Sequence, residues 1–271
     1  MTLANKQPIG VFDSGIGGLT VVRALMERLP CENIVYFGDT ARVPFGVKSV
    51  ETINHYTSQI TEFLLSQGVK ALVIACNTIA AVAQQTVKAM SPVPVLDVIE
   101  AGALTAVRHS STKRIGVIGT MTTINSNAYG RAIHALEPEI HIVSQACPLF
   151  VPLVEEGWWE HAATRMVAQE YLDPVLTEGI DTLVLGCTHY PLLKPLLKDL
   201  VGEKIQLVDS AEAMAAITAN LLYEQGMMNP RDGYSPEYRY YVTDFPLRFH
   251  QLGERFLGRS IRDIQLVRLQ G

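Results

Sequence analysis

The sequence predicts an α/β protein of two pseudo-symmetric domains, each a mainly parallel sheet flanked by helices, with a functional site in the cleft between them. Three observations predict this class. Short apolar runs alternate with segments of helical periodicity over most of the 271 residues, a pattern typical of βαβ units with parallel strands. The chain is also longer than most single domains. Two landmarks of the first half recur, in the same order, in the second half.

The first half contains predicted strands that alternate with predicted helices. Short apolar runs, bounded by glycine, proline and polar residues, predict strands over Ile9–Phe12, Ile34–Phe37, Ala71–Ala75 and Pro94–Asp97. Apolar residues at helical spacing predict helices over Leu19–Leu29, Val50–Gln67 and Ala80–Met90. Gly68 and Pro92 interrupt these patterns and mark turns.

The second half repeats the alternation and ends in a further unit. Its predicted strands are Ile115–Ile118, Ile140–Ser144, Thr182–Leu185 and Ile205–Val208. Its predicted helices lie near Asn125–Leu136, Trp159–Glu178 and Leu192–Leu200. The tail predicts a strand, a helix and a final strand over Tyr238–Thr243, Leu247–Phe256 and Asp263–Val267.

An internal repeat relates the two halves. The first strand with its polar end, Ile9–Ser14, is echoed by Ile115–Thr120. The segment Leu72–Thr78 is echoed by Leu183–His189, at nearly the same spacing along the chain. Two echoes in one order predict two halves with one topology.

The composition indicates a globular protein that binds a small molecule. Hydrophobic residues make up 48% of the chain and charged residues 18%, with 22 Lys and Arg against 27 Asp and Glu. This content is too apolar and too evenly charged for a disordered chain. The net charge of -5 argues against nucleic acid or an anionic membrane as partner, because both are bound by dense Lys and Arg faces.

The sequence also predicts a cytoplasmic location without a membrane partner. The opening segment Met1–Gln7 lacks the apolar core of a secretory signal. No apolar run reaches the roughly 18 residues that would suggest a membrane span. The four cysteines, Cys31, Cys76, Cys147 and Cys187, lie far apart and form no Cys-x-x-Cys pair. We therefore expect free thiols and no metal site.

Cys76 and Cys187 are the candidate reactive groups. Each lies at the carboxyl end of a predicted strand, where the functional groups of parallel α/β sheets gather. If the two halves face each other across a cleft, the two thiols reach a ligand from opposite sides. One thiolate would remove a proton from a carbon while the other thiol protonates its opposite face, which inverts the carbon without a cofactor. Cys31 and Cys147 lack this context, and we expect them to be structural.

Polar neighbours of the two cysteines suit acid–base chemistry. His189 lies two residues after Cys187 and is suited to hold a thiolate or to shuttle its proton. Asp13 ends the first predicted strand, which a parallel sheet can bring beside Cys76. Residues suited to hold a carboxylate, together with nearby backbone N–H groups, are Asn77, Thr78 and Thr188. Helices that begin just after each cysteine would favour an anion at the same place.

Longer blocks of the sequence resemble a known family. The blocks are Gly10-Val11-Phe12-Asp13-Ser14-Gly15-Ile16-Gly17-Gly18-Leu19-Thr20-Val21, Gly38-Asp39-Thr40-Ala41-Arg42-Val43-Pro44-Phe45-Gly46, Ala75-Cys76-Asn77-Thr78, Val98-Ile99-Glu100, Gly119-Thr120, Phe150-Val151-Pro152-Leu153-Val154-Glu155 and Gly186-Cys187-Thr188-His189-Tyr190-Pro191-Leu192. On these residues the chain resembles the bacterial glutamate racemases over nearly its whole length. The first and last blocks are the most diagnostic.

The resemblance implies a cofactor-independent interconversion of L- and D-glutamate that supplies D-glutamate for peptidoglycan synthesis. It implies that Cys187, assisted by His189, takes the proton from L-glutamate, and that Cys76, assisted by Asp13, takes it from D-glutamate. The substrate contacts that it implies are Asp13, Ser14, Phe45, Gly46, Asn77, Thr78, Thr188 and His189, with Thr120, Thr123 and Glu155 in or beside the same site.

The resemblance also implies how the domains are arranged. The first domain is discontinuous, residues 1–98 plus 212–271, and carries Asp13 and Cys76. The second domain, residues 99–211, carries Cys187 and His189. Because several members of the family are dimers, a homodimer is a further expectation.

One residue departs from the family pattern. The family usually has Pro-Tyr-Gly where this chain has Pro44-Phe45-Gly46. A tyrosine hydroxyl is therefore missing from the expected substrate loop. Backbone contacts in this loop do not need that hydroxyl, so substrate affinity is the property that we expect to differ.

Other functions remain open from the residues alone. A racemase acting on aspartate or a hydantoin, or a decarboxylase with one reactive cysteine, would use a similar site. A cysteine hydrolase or amidotransferase would use Cys187 with His189 through a covalent acyl intermediate and would leave Cys76 idle. A two-domain binding protein would close on an amino acid and would need neither thiol.

Overall fold

A computed structural model describes residues 3–230 and 235–269 of the chain. Within these residues the strands are β1 Ile9–Asp13, β2 Ile34–Gly38, β3 Ala71–Ile74, β4 Val95–Asp97, β5 Arg114–Gly119, β6 His141–Ala146, β7 Thr182–Gly186, β8 Gln206–Asp209, β9 Tyr238–Val242 and β10 Ile264–Leu266. The helices are α1 Leu19–Arg28, α2 Val50–Ser66, α3 Asn77–Met90, α4 Val98–His109, α5 Met121–Asn125, α6 Ala128–Leu136, α7 Phe150–Glu155, α8 Ala162–Leu176, α9 Lys194–Val201, α10 Ser210–Glu224 and α11 Pro246–Leu257. Short 3-10 turns span Leu3–Lys6, Phe45–Val47 and Tyr190–Leu193.

The first sheet has the strand order β10-β9-β2-β1-β3-β4. Every strand pair in it is parallel, and Ile9 of β1 is in register with Ile34 of β2 and Ala71 of β3. The central strands β1, β2 and β3 are buried along their whole length. Their continuous apolar sequences follow from this position, since helices cover both faces of a parallel sheet.

The second sheet has the order β6-β5-β7-β8 and is also entirely parallel. This order corresponds strand by strand to β2-β1-β3-β4 of the first sheet. The repeat therefore correctly predicted two halves with one topology, and the predicted fold class is confirmed. In both halves, the strand that leads to a candidate cysteine pairs directly with the first strand of that half.

Two helices that the periodicity did not predict, α4 and α10, connect the sheets. α4 follows directly after β4, and α10 follows directly after β8. Asp97 caps α4 by accepting the backbone N–H groups of Ile99 and Glu100, and Asp209 caps α10 by accepting that of Ala211. α10 packs against α1 and α4, while α4 packs against α6 and β7. Both helices thus contact elements of the two halves.

Several predicted helix boundaries were also wrong. α3 begins at Asn77, and not at Ala80. The helix predicted near Asn125–Leu136 is two helices, α5 and α6, because Asn127 adopts a left-handed conformation with φ of 52°. α8 begins at Ala162, where the His161 side chain caps it, and α7 was not predicted. α9 begins at Lys194, after the 3-10 turn.

Candidate active site

The carboxyl ends of both sheets border one cavity of about 430 Å³. Ser14 follows β1 and Cys76 lies just beyond β3, while Thr120 follows β5 and Cys187 follows β7. Because the two sheets have the same topology, equivalent strand ends of the two halves meet across this cavity. The lining residues are Ser14, Gly15, Ile16, Val43, Pro44, Phe45, Gly46, Val47, Cys76, Asn77, Thr78, Thr120, Met121, Pro148, Val151, Pro152, Glu155, Cys187, Thr188 and His189.

Most of the residues predicted for the site line this cavity. Ser14, Phe45, Gly46, Cys76, Asn77, Thr78, Thr120, Glu155, Cys187, Thr188 and His189 all do so. Asp13 and Thr123 do not line it, and both are buried behind it with about 1% of their surface exposed. Each hydrogen-bonds to a lining residue, Asp13 to Thr188 and Thr123 to Thr120.

Cys76 occupies the N-cap position of helix α3 and is buried. Its Sγ lies 3.4 Å from the Ser14 Oγ. Burial, followed by the nearby Asp13 charge, raises the pKa of the Cys76 thiol to about 11, against hydrogen bonds from Ser14 and Ile79 that lower it. The side chain in direct contact with this thiol is thus Ser14, while Asp13 acts on it through its charge.

Cys187 contacts a histidine that is itself held by a carboxylate. Its Sγ lies 3.9 Å from the His189 Nδ1, and the His189 Nε2 lies 3.1 Å from the Glu155 Oε1. Burial raises the pKa of the Cys187 thiol, and the charges of Cys76 and Asp13 raise it further. The expected helix start does not follow Cys187, because a 3-10 turn comes first. A helix N-terminus is therefore present only on the Cys76 side.

Asp13 connects the two halves. Its Oδ1 accepts the Gly15 N–H at 2.8 Å, and its Oδ2 accepts the Thr188 hydroxyl at 3.3 Å. Burial raises the pKa of the Asp13 carboxyl, whereas the charge of His189 and these hydrogen bonds lower it. The carboxylate thus has partners on both sides of the cavity.

A line of hydroxyls joins the halves on the other wall of the site. The Thr78 Oγ1 lies 3.0 Å from the Thr120 Oγ1, which in turn lies 3.0 Å from the Thr123 Oγ1. The Asn77 side chain is 2% exposed, and its Nδ2 is a buried donor without a hydrogen-bond partner among the described residues. Such donors are rare in native folds unless a ligand or water takes them.

Glycine is required where the first loop meets the last diagnostic block. A Cβ at Gly17 would lie 2.2 Å from the Thr188 Oγ1 and 2.6 Å from the His189 Nδ1. No side chain fits at that distance. Gly17 therefore allows the loop after β1 to approach the loop after β7.

Phe45, the departure from the family pattern, is 2% exposed and lines the cavity. Its ring centroid lies 5.9 Å from that of Tyr56. The next residue, Gly46, accepts the Thr122 hydroxyl through its backbone oxygen at 2.7 Å. This backbone contact links the loop to the second half without a tyrosine hydroxyl.

Sequence reasoning missed some residues of the site. Apolar residues complete the cavity wall: Ile16, Val43, Val47, Met121, Pro148, Val151 and Pro152. Phe256 of α11 places its ring edge against His189, with centroids 5.1 Å apart, and Tyr129 of α6 hydrogen-bonds to Asn77. Ile16, Val43, Val151 and Pro152 lie inside the quoted blocks, but Phe256 and Tyr129 carry no local signal.

The described part of the chain shows neither a metal-binding cluster nor a helix suited to span a membrane. No group of three or more His, Cys, Asp or Glu side chains in residues 3–230 and 235–269 is arranged to hold a metal ion. No helix in this part of the chain is long and apolar enough to cross a membrane.

The chain is similar to known proteins of one kind. A family model described as Asp/Glu/Hydantoin racemase matches residues 16–218. The glutamate racemase of Syntrophus aciditrophicus (strain SB) is 71% identical over 262 residues, which cover 97% of each chain. The glutamate racemase of Neisseria meningitidis serogroup A is 58% identical over 268 residues, or 98% of each chain. The crystal structure of glutamate racemase from Francisella tularensis subsp. tularensis SCHU S4 in complex with D-glutamate has a TM-score of 0.92 at 44% identity, with 98% of each chain covered.

Proposed function

The chain belongs to the Asp/Glu/Hydantoin racemase family, and on this basis we propose that it interconverts L- and D-glutamate by proton transfer at Cα between two cysteine thiols. It is an isomerase, and glutamate is the substrate named for the relatives that match nearly its whole length. The observation that carries the mechanism is the placement of Cys76 and Cys187 at equivalent strand ends of the two halves, both lining one cavity.

The two thiols act in turn as base and acid. For L-glutamate, the Cys187 thiolate takes the Cα proton, the electron pair passes into the α-carboxylate, and the Cys76 thiol gives its proton to the opposite face. The enzyme is left with a Cys187 thiol and a Cys76 thiolate, so exchange with solvent restores the starting state. D-glutamate follows the reverse course. The direction assigned to each cysteine rests on the resemblance.

Burial raises the pKa of both thiols, so a positive charge on the substrate favours the ionisation of one of them. An opposite charge within a few ångströms lowers a thiol pKa. The ammonium group on Cα supplies such a charge next to the reacting proton. His189 lies at 3.9 Å from Cys187 and exchanges its proton, while the charge of Asp13 raises the pKa of Cys76 and so favours its role as the proton donor.

The polar lining suits an amino-acid backbone and a side-chain carboxylate. Asn77 supplies an unpaired donor, and the N-terminus of α3 favours negative charge beside it. Thr78, Thr120 and Thr188 add hydroxyls from both halves. We assign these residues, with Ser14, to substrate binding. The apolar wall excludes water from the reacting carbon.

We also propose a cellular setting and an assembly for this activity. D-glutamate would be supplied to peptidoglycan synthesis in the cytoplasm, and the active form would be a homodimer. The domains would be residues 1–98 plus 212–271 and residues 99–211. The resemblance supports these assignments, and the strand order of the first sheet, which includes β9 and β10, is compatible with a discontinuous first domain.

Proton NMR of the purified protein with L-glutamate in D₂O, together with circular dichroism of the amino acid, tests the activity. We expect the Cα proton signal to disappear while the optical signal decays to zero, because each inversion brings in a solvent deuteron. A parallel sample with aspartate shows whether the protein racemises glutamate or aspartate. Loss of neither signal with any acidic amino acid would contradict the proposal, and an acyl-enzyme detected by mass spectrometry would favour the hydrolase.

Single substitutions test the two-thiol mechanism. We expect Cys76→Ser and Cys187→Ser each to reduce racemisation at least a thousandfold, because a hydroxyl is a much weaker acid than a thiol. Cys31→Ser is the matched control, since Cys31 does not line the cavity, and it should retain activity. Full activity in Cys76→Ser would exclude a two-base mechanism.

A further inference from the structure

Tyr129 contacts Asn77, which lines the cavity and whose side-chain amide has an unpaired donor. The Tyr129 hydroxyl donates to the Asn77 Oδ1 at 2.7 Å, and this bond joins α6 of the second half to the first residue of α3. The Asn77 Nδ2 is buried and has no partner among the described residues. Tyr129 itself does not line the cavity.

An asparagine side chain can present either its donor or its acceptor to a ligand, depending on a half-turn of the amide. A neighbour that donates to the amide oxygen fixes the choice. Burial raises the pKa of Tyr129, so its hydroxyl stays protonated. The Tyr129 hydroxyl donates this proton to the Asn77 Oδ1, which leaves Nδ2 for the cavity.

Two glycines leave room for the tyrosine ring. A Cβ at Gly102 of α4 would lie 3.1 Å from the Tyr129 hydroxyl oxygen, and a Cβ at Gly186 of β7 would lie 3.1 Å from its ring. Both distances are shorter than ordinary carbon contacts. The ring therefore sits in a slot between Gly102 and Gly186, and a Cβ at either position would displace it by a few tenths of an ångström relative to Asn77.

We propose that Tyr129 is a positioning residue that orients the Asn77 amide so that Nδ2 donates to a carboxylate of bound glutamate. This inference rests on the proposed function for the identity of the ligand. Tyr129 acts only through Asn77, since its hydroxyl reaches the amide and not the cavity.

Tyr129→Phe removes the hydroxyl and keeps the ring in its slot. We expect KM for both enantiomers to rise roughly five- to tenfold, the loss typical of one hydrogen bond, with kcat within about twofold. Tyr241→Phe is the matched control, because it removes the hydroxyl of a buried tyrosine of β9 that donates to Gln67, the residue after α2, away from the cavity. An unchanged KM in Tyr129→Phe would overturn the proposal.

Gly102→Ala provides a second variant that does not depend on the hydroxyl itself. Because alanine favours a helix more than glycine does, helix propensity alone should not lower Tm in this variant. A fall in Tm would therefore show that the displaced Tyr129 ring disturbs the core. We expect the KM rise of Tyr129→Phe to recur here. A wild-type KM in Gly102→Ala would contradict the role of the slot.

A double-mutant cycle with Asn77→Ala separates positioning from a structural role. If Tyr129 acts through Asn77, Tyr129→Phe should have no effect on the dissociation constant of D-glutamate, measured by calorimetry, once Asn77 is alanine. Equal effects in both backgrounds would overturn the proposal. A wild type that binds glutamate without racemising it would contradict the proposed function and leave this cycle valid.

The side-chain amide of Asn77 gives a readout without any ligand. Its proton pair in a ¹⁵N-correlated spectrum is identified by its loss in Asn77→Ala. We expect Tyr129→Phe to shift that pair and Tyr241→Phe to leave it unchanged. An unshifted pair in Tyr129→Phe would show that the tyrosine does not orient the amide.

Discussion

Burial is the main influence on the pKa of both candidate thiols. For Cys76 and Cys187 the loss of hydration is the largest influence on the pKa, and it exceeds the hydrogen bonds that favour the thiolate. The sequence suggested that His189 would hold a thiolate beside it. The structure places His189 at 3.9 Å, where it can exchange a proton with a thiol that remains neutral until a ligand arrives.

Alkylation of the substrate-free protein tests this point. The raised pKa of about 11 for Cys76 means that its reactive thiolate is scarce at pH 7 and grows about tenfold with each pH unit. The rate of Cys76 modification by iodoacetamide, followed by peptide mass spectrometry, should therefore rise continuously from pH 7 to 10. The modification rate of Cys31, measured in the same digest, is the control for how the reagent itself responds to pH. A plateau below pH 9 would show that Cys76 is already ionised there.

The candidate site was predictable to the extent that its residues follow strand ends. Cys76, Cys187 and Asp13 each lie where a buried run stops, so sequence and repeat together identified them. Tyr129 and Phe256 reach the site through the packing of α6 and α11. Such contacts depend on how distant elements dock, and no local pattern encodes that.

At the scale of elements, strands were predictable and the connecting helices were not. A strand buried on both faces leaves an uninterrupted apolar run, as in β1 and β3. Helix α4 instead contains three alanines and one glycine among its 12 residues, and α10 is buried on more than one side. Neither shows the single apolar stripe that marks a surface helix, so periodicity did not identify them.

A buried ion pair fixes the amino end of β3 to the rest of its sheet. Lys70 is 3% exposed, and its Nζ donates to the Glu32 Oε2 at 2.5 Å and to the backbone oxygens of Asn5 and Met227 at 2.7 Å each. One side chain thus holds the N-terminal segment and the loop after α10. It lies at the opposite end of the strands from the cavity.

We expect Lys70→Met to lower the free energy of unfolding by about 3 kcal/mol, because it leaves Glu32 buried without its cation. Urea denaturation followed by circular dichroism measures this. Lys88→Met removes a half-exposed pair with Glu100 and should cost less than about 1 kcal/mol. Racemisation by folded Lys70→Met should equal that of the wild type. Equal stability losses in the two variants would contradict the role of the buried pair.

At the scale of the whole molecule, the cavity depends on both halves. The Thr20 hydroxyl of α1 donates to the Thr188 backbone oxygen, and the Thr122 hydroxyl donates to that of Gly46. Each half therefore contributes a loop that is held by the other. The site exists only when the two halves are together.

Hydrogen exchange with mass spectrometry should show this dependence. At saturating glutamate we expect protection of residues 43–47 and residues 148–152 together, since both segments line the cavity from different halves. The edge strand β10 borders no part of the cavity and serves as the control. Protection confined to one of the two segments would show that the ligand is held by a single half.

The chain passes between the two sheets twice, from β4 to β5 and from β8 to β9, and each passage begins where a strand runs directly into a helix that an aspartate, Asp97 or Asp209, caps. At neither aspartate does an irregular segment separate the strand from the helix. The two halves are therefore tied together at two places. Two ties restrict the twisting of one half against the other more than a single tie would. Two thiols that address opposite faces of one carbon, as we propose, need such a fixed relation.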